Sequence, residues 1–95
     1  MKYMVKIIGN DIMRGTTKVG WVTGNDVFDE EGRKLGYFSD NDIYDENGKK
    51  IAYTENNNLK TLDGRTMRLD ENRKHVLGGS ASDLERAAIY LLIGD

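Results

Sequence analysis

The chain has 95 residues, with 14 Lys and Arg against 16 Asp and Glu, a formal net charge of −2, and neither cysteine nor proline. This length predicts one domain, and the balanced charge excludes a general binder of nucleic acid or of an anionic membrane surface. The missing cysteines exclude disulfides and thiolate metal sites. Because we find neither a signal-peptide pattern nor a membrane-length apolar segment, we expect a cytoplasmic protein.

The first element along the chain is the stretch MKYMVKI, which predicts a strand. From residue 10 onward the sequence repeats itself. Residues 25–40 and 41–56 share Asn, Asp, Gly, Lys and Tyr at matching positions, and weaker copies cover 10–24 and 57–72. The chain therefore contains four tandem units, three of sixteen residues and one of fifteen, and such a repeat decides the architecture before any single element does.

Each unit has the pattern of a β-hairpin: an aliphatic strand, a glycine turn, and a second strand in which Leu or Ile alternates with Tyr or Trp. If Ile43 faces Ile51, the loop 46–48 has three residues and ends in Gly48. That order is typical of a type I turn followed by a left-handed glycine. The loops of the second and fourth units have glycine at the same place.

The first unit is one residue shorter and therefore tests this interpretation. Pairing Ile12 with Val19 leaves the two-residue loop Gly15-Thr16. Glycine at the first of two loop positions is typical of a type II′ turn. The shorter unit thus changes its turn type and keeps its register, so length and turn chemistry both indicate hairpins.

The predicted register sorts the side chains into two faces. The predicted core face comprises Ile12, Val19, Trp21, Val27, Leu35, Tyr37, Ile43, Ile51, Tyr53, Leu59, Met67 and Leu69. The opposite face carries Met13, Phe28, Tyr44 and Lys60 beside Lys18, Lys34, Lys50 and Thr66. Since a lone hairpin is marginal in water, we predict a mainly β fold with the four units arranged about a pseudo-fourfold axis; a linear stack is the alternative.

The C-terminal part of the chain predicts one more strand and a helix. KHVLG, residues 74–78, is a weaker strand that could pair with the N-terminal one. Ser82 followed by Glu85 is helix-start chemistry and predicts a helix over about 82–93, with Gly94 as its stop. Its apolar stripe contains Leu84, Ala87, Ala88, Leu91 and Leu92. The stripe packs either on the chain's own core, which we favour, or on another subunit.

The sequence shows no catalytic or metal-binding constellation. The acidic turns DVFDEEG and DIYDENG lack an oxygen ligand at the first position of a calcium loop, so turn chemistry accounts for them. His75 is the single histidine, and no nucleophile or second ligand lies near it in the sequence. We therefore expect a non-enzymatic protein with no metal and no cofactor.

Two repeated sets of side chains are candidates for ligand binding. Trp21, Tyr37 and Tyr53 recur at one position and could stack on sugars or bases, although the predicted register favours burial. An asparagine begins every unit, and local backbone bonding competes there with a ring of amides about the axis that encloses water or an ion. The asparagines are Asn10, Asn25, Asn41 and Asn57. The candidates for partner binding are Phe28, Tyr44, Leu84, Leu91 and Leu92.

With these units in view, the chain resembles the small bacterial proteins described as four-fold β-flower proteins. The resemblance covers residues 10–72 and rests on the four asparagines, the turn glycines and the core columns. The fourth unit departs from the pattern, because Lys60 replaces an apolar residue and Arg68 replaces Gly or Ala, which weakens the case for exact fourfold packing. The resemblance implies the fold and brings no activity or catalytic residues.

We therefore expect a small binding or interaction module whose partner is a protein or a second copy of the chain. A carbohydrate or cell-wall ligand held by the repeated aromatics is one alternative. An ion or small ligand on the pseudo-fourfold axis is the other.

Overall fold

A computed structural model of the chain describes residues 4–93. The elements, in chain order, are β1 (Val5–Ile8), β2 (Asp11–Arg14), β3 (Thr17–Thr23), β4 (Asp26–Asp29), β5 (Lys34–Ser39), β6 (Asp42–Asp45), β7 (Lys50–Glu55), β8 (Asn58–Thr61), β9 (Thr66–Arg68), α1 (Leu69–Arg73), β10 (Val76–Leu77) and α2 (Asp83–Leu92). The first residues of the predicted N-terminal strand, 1–3, and the predicted helix stop Gly94 lie outside the described residues.

All the strands lie in one 10-stranded sheet, in the order β10-β1-β2-β3-β4-β5-β6-β7-β8-β9. The four predicted hairpins are confirmed as β2–β3, β4–β5, β6–β7 and β8–β9. Each hairpin also pairs with the next one, so the units form a continuous antiparallel meander rather than separate ribbons that meet through side chains alone. The predicted pairing of the two terminal strands is confirmed too, with Val5 opposite Val76 in a parallel pair.

The turns follow the chemistry expected from the sequence. Gly48 closes its three-residue loop with φ of 80°, and the glycines at the same position in the second and fourth units are also left-handed. Gly15 has φ of 65° in the two-residue turn of the first hairpin, as a type II′ turn requires. Local sequence therefore accounts for the corners of the meander.

The register beyond the turn differs from the prediction. In the third hairpin Tyr44 lies opposite Lys50, but Ile43 lies opposite Ala52, so Ile51 is the extra residue of a β-bulge. The predicted pair of Ile43 with Ile51 is therefore wrong. A bulge places two residues of one strand against one residue of the other, and every later side chain on the bulged strand then changes face.

The first two hairpins contain the same bulge. Ile12 lies opposite Gly20 rather than Val19, and Val27 lies opposite Gly36 rather than Leu35. The fourth hairpin has the predicted register, with Leu59 opposite Met67. The repeats are thus alike in three units, and the last unit departs by lacking the bulge.

The bulges move the repeated aromatic residues out of the core. Trp21, Tyr37 and Tyr53 were predicted to be buried, but they are half-exposed on the face of the sheet opposite α2, which we call the outer face. Val19, Ile51 and Met67, also predicted as core residues, are half-buried against the hydrophobic core, and Leu35 is half-buried as well. The core comprises Val5, Ile7, Ile12, Val22, Val27, Phe38, Ile43, Ala52, Leu59, Leu69, Val76, Ala87, Ala88, Ile89 and Tyr90.

Helix α2 packs on the inner face of the sheet, as we predicted for the chain's own core. It contacts β4, β5, β6 and also β10, strands that lie far apart in the sheet, so the sheet curves around it. The N-cap is confirmed, because the Glu85 amide donates to Ser82 Oγ at 3.1 Å. The sheet lies close to the helix at Gly36, where an added Cβ would lie 2.9 Å from Leu92 Cδ1.

The short helix α1 was missed by the sequence analysis. Leu69 is buried, as predicted, but it begins this helix instead of continuing a strand. Arg73 at the end of α1 joins the two helices, because its Nε and Nη2 donate to the Asp83 carboxylate at 2.8 and 2.9 Å. The bidentate pair holds the start of α2 against α1.

Candidate functional site

The outer face of the sheet carries the aromatic residues of the repeats in a regular arrangement. Trp21 on β3 lies opposite Phe28 on β4, and Tyr37 on β5 lies opposite Tyr44 on β6. The rings of the two pairs stack with centroids 5.6 and 4.6 Å apart and interplanar angles of 15° and 13°. Each stack therefore joins one repeat to the next. We call Trp21, Phe28, Tyr37, Tyr44 and Tyr53 the aromatic row.

A lysine lies over one ring in each of the first three units. The ring-to-Nζ distances are 4.9, 4.8 and 5.1 Å for the pairs Trp21–Lys18, Tyr37–Lys34 and Tyr53–Lys50. The bulge brings each lysine and its aromatic ring to the same face of the sheet. Residues three apart on a regular strand would point to opposite faces, and the extra residue of the bulge between them reverses this. A cation at this distance is attracted to the ring by about 0.5–1 kcal/mol on an exposed surface.

Each of these lysines is also held by the aspartate that follows the repeat's first asparagine. The Nζ–Oδ1 distances are 3.0, 3.2 and 3.0 Å for Lys18–Asp11, Lys34–Asp26 and Lys50–Asp42. Such exposed pairs contribute about 0–1 kcal/mol each. Their main effect here is positional, because they keep each ammonium over its ring and leave the surface close to neutral.

Trp21 and Tyr37 each have both a stacked ring and a lysine against them. Phe28 stacks on Trp21 from the β4 side, while Lys18 reaches the same ring from the side of its partner Asp11 on β2. The edges of these rings, and not their faces, are then left for a ligand. Tyr44 has a raised pKa, first because of burial and second because of the nearby Asp42 carboxylate, so its hydroxyl is neutral at physiological pH.

Tyr53 departs from this pattern. Lys60 stands opposite it, where the earlier units have Phe28 and Tyr44. A Cβ added to the turn glycine Gly48 would lie 3.7 Å from Tyr37 Oη, but one added to Gly64 would have no atom within 4 Å. Within residues 4–93, Tyr53 therefore has neither a stacked aromatic partner nor a turn against its ring.

The four asparagines lie at the links between strands. Their side chains are exposed, which excludes an enclosed ring of amides about an axis. Their backbone carbonyls accept hydrogen bonds of 2.9, 3.0, 2.8 and 2.9 Å from the amides of Val22, Phe38, Thr54 and Leu69 for Asn10, Asn25, Asn41 and Asn57. The repeated asparagines therefore mark the tight links of the meander.

The acidic turns are stabilised internally. Asp29 Oδ1 accepts hydrogen bonds from the amides of Glu31 and Arg33 at 2.9 Å, and Arg33 Nε donates to Asp29 Oδ2 at 2.8 Å. The bond from the Arg33 amide is the leading cause of the lowered pKa of Asp29. Asp45 has the same role in the next turn. Among the described residues no group of three or more His, Asp or Glu side chains is placed to hold a metal ion.

The remaining candidates lie within the packed structure. Leu84, Leu91 and Leu92 are half-buried against the core. His75 lies just before β10, with Nε2 at 3.6 Å from Glu71 Oε2 and its ring tilted against Tyr90. Both sets of contacts favour a structural role for these side chains.

A groove between the last hairpin and α2 was missed by the sequence analysis. It has two adjoining parts of about 440 and 270 Å³ that share Thr61, Arg65 and Leu91. The larger part is lined by Ile51 and Leu62, and the smaller by Leu59, Met67 and Tyr90. A signal was present, because Leu62 occupies the turn position that is glutamate in the second and third units, and it is 57% exposed.

The fold and this surface define a class: tandem β-hairpin repeats joined in a single curved meander around a C-terminal helix, with aromatic side chains on the outer face. The family model described as 4-fold beta flower protein matches residues 5–74, and the chain belongs to that family. The resemblance stated from the sequence is therefore confirmed. Neither the curated proteins nor the solved structures gave a match. No helix within residues 4–93 has the length and apolar character that crossing a membrane requires.

Proposed function

We propose that this protein is a non-catalytic binding module that presents the aromatic row to a protein partner. The observation that carries the proposal is the position of five aromatic rings, half-exposed and in register, on one face of the sheet. For three of them, Trp21, Tyr37 and Tyr53, burial was expected. Trp and Tyr are enriched in the energetically dominant parts of protein interfaces, because each supplies a large rigid apolar area with a polar group at its end.

The pairing on the outer face favours a protein over a flat aromatic ligand. The ring faces of Trp21 and Tyr37 are taken up by a neighbouring ring and a lysine, so a ligand there meets ring edges, hydroxyls, ammonium groups and carboxylates in alternation. A mixed surface of this kind is complementary to another protein surface. Its balanced charge gives no preference for a polyanion. The proposal of a non-enzymatic role has the same basis, since the lysines and aspartates of this face are paired with each other.

The experiment is capture from a native lysate with three immobilised proteins: wild type, Tyr37→Ser/Tyr44→Ser, and the matched control Glu30→Ser/Glu46→Ser in the exposed turns. Thermal unfolding first establishes that all three are folded. We expect a partner that wild type and control retain and the tyrosine variant loses. Capture of the same proteins by all three would refute the proposal.

A second copy of the chain is a partner of the same kind. Self-association through α2 has little support, because its leucines pack on the core. Sedimentation at several concentrations separates the two cases: self-association by the aromatic row gives a concentration-dependent mass for wild type and a monomer for the tyrosine variant. A monomer for both leaves a different protein as the partner.

A carbohydrate ligand is the second candidate, and Tyr53 is the observation that favours it. Within residues 4–93, Lys50 lies over its ring but no aromatic residue stacks on it as Phe28 and Tyr44 do on Trp21 and Tyr37. Sugar stacking needs a ring face without such an aromatic partner. The reporter is Tyr53→Trp in a Trp21→Phe background, titrated with peptidoglycan fragments and common oligosaccharides. A saturable emission change supports the candidate, and unchanged emission with every glycan excludes it.

A further inference from the structure

The two edges of the sheet differ in how they are protected. The edge at β10 is covered by Arg86, whose Nη1 donates to the Val76 carbonyl at 2.7 Å and whose Nη2 donates to the Gly79 carbonyl at 3.3 Å. A charged side chain over an edge blocks the addition of another strand. Arg86 is the single arginine within α2, Asp83–Leu92, so no arginine of that helix covers the edge at β9, where Thr66 and Arg68 are exposed.

The hydrogen-bond pattern shows which backbone groups β9 directs outward. The Leu69 amide donates to the Asn57 carbonyl at 2.9 Å on the β8 side. Inward and outward backbone groups alternate along an antiparallel strand. Met67 therefore bonds to β8, and the amide groups of Thr66 and Arg68 point away from the sheet.

The smaller part of the groove opens along this same edge. It has a volume of about 270 Å³, and its walls include Thr66 and Met67 from β9 and Tyr90 and Leu91 from α2. A strand added to β9 would alternate its side chains between the two faces. The side chain opposite Met67 would enter the groove, and the two flanking side chains would lie on the outer face.

The outer face at this edge is suited to acidic side chains. Arg68 has 77% of its side chain exposed and lies opposite Asn58. Asn58 stands where the first three units have an aspartate. Its carboxylate contact is with Asp70 at 3.6 Å. Lys60 lies on the same face opposite Thr66, in an exposed pair with Glu55. Opposite charges directly across two strands are stabilising. An added strand with carboxylates here would therefore supply the acidic partners that the lysines of the first three units already have.

We propose that β9 and the adjoining groove bind an extended peptide by strand addition, with acidic residues opposite Thr66 and Arg68 and an apolar residue opposite Met67. The outward amides supply the backbone bonds, and the groove selects the apolar side chain. This site shares no residue with the aromatic row, so it is independent of the function proposed above.

The test uses two peptides of one composition, labelled at the N-terminus through a β-alanine spacer and read by fluorescence anisotropy. They are fluorescein-βAla-Glu-Val-Glu-Ile-Glu-amide and the block isomer fluorescein-βAla-Glu-Glu-Glu-Val-Ile-amide. We compare the full-length wild type with Arg68→Pro and Arg68→Ala. Proline fits because Arg68 has φ of −69°, close to the value that proline imposes. Both variants lose the charge, but Arg68→Pro alone loses the outward amide.

We expect saturable binding of the alternating peptide to wild type, and about tenfold weaker binding to Arg68→Pro than to Arg68→Ala, because one backbone hydrogen bond is lost. Equal affinity of these two variants would overturn the proposal, as would equal binding of both peptides or no binding at millimolar concentration. A wild-type dimer that Arg68→Pro dissociates would assign the edge to a second copy instead. Thr66→Pro against Thr66→Ala repeats the comparison at the other outward amide should Arg68→Pro fail to fold.

Discussion

Replacing Gly36 with alanine tests whether the sheet depends on a residue without a side chain where it meets the helix. A Cβ at this position would lie 2.2 Å from the Tyr44 carbonyl oxygen and 2.9 Å from Leu92 Cδ1. The leucine could rotate, but the carbonyl belongs to the backbone of the neighbouring strand. The clash with the carbonyl is therefore relieved only if β5 and β6 separate locally.

The expected cost lies at the upper end of the range for overpacking, about 3 kcal/mol. A domain of this kind has a total stability of about 5–15 kcal/mol, so the variant still folds. With an m value of about 1.5 kcal/mol per M, the midpoint of urea unfolding falls by about 2 M. Equilibrium unfolding followed by far-UV circular dichroism measures that midpoint.

The matched control is Ala52→Gly at the equivalent position of the third unit, where the packed structure already holds a methyl group with 0% exposure. We expect this change to cost about 1 kcal/mol, mainly through the flexibility of glycine. A midpoint shift for Gly36→Ala no larger than that of the control would contradict the packing described for the sheet and α2.

The remaining predictions concern α2 and the outer face. Ser82→Ala removes the oxygen that accepts from the Glu85 amide and should cost about 1 kcal/mol in urea unfolding. Hydrogen bonding to Arg73 lowers the pKa of Asp83, so the stability from this pair is present above the unfolded-state pKa of about 3.9 and is lost as pH falls through the lower folded-state pKa. Asp83→Asn should then lower the urea midpoint at pH 7 more than at pH 2, and equal losses would contradict the assignment. The fluorescence of native Trp21 should be quenched by acrylamide. Fluorescence that acrylamide does not quench would indicate that Trp21 is buried in the core and would contradict its place on the outer face.

The corners and the ends of the fold were predictable from sequence because their causes are local. A glycine at a loop position with positive φ specifies its turn whatever lies elsewhere, as Gly15 and Gly48 show. Ser82 caps α2 through an amide three residues away. The repeat then extended these local rules to four hairpins and led to the correct family.

The faces of the strands could not be predicted in this way. The sequence around Ile43 and Ile51 fits a regular pair, and the bulge that places Ile43 opposite Ala52 arises where the sheet curves around α2. The small residues Gly20, Gly36 and Ala52 were the available signal, since glycine inside a strand indicates a bulge or a close backbone approach. The register predicted from the sequence used these small residues only to align the repeats, and not as a sign of a bulge.

Sequence alone thus determined the units, their turns and the helix start, since each depends on contacts between residues a few positions apart. Tertiary structure decided which side of the sheet the aromatic residues occupy, because a single extra residue per strand reverses every later side chain. It also created the groove beside β9, whose walls come from Met67 and Tyr90, residues far apart in the chain. No local pattern encodes that proximity; the packing of α2 against the curved sheet produces it.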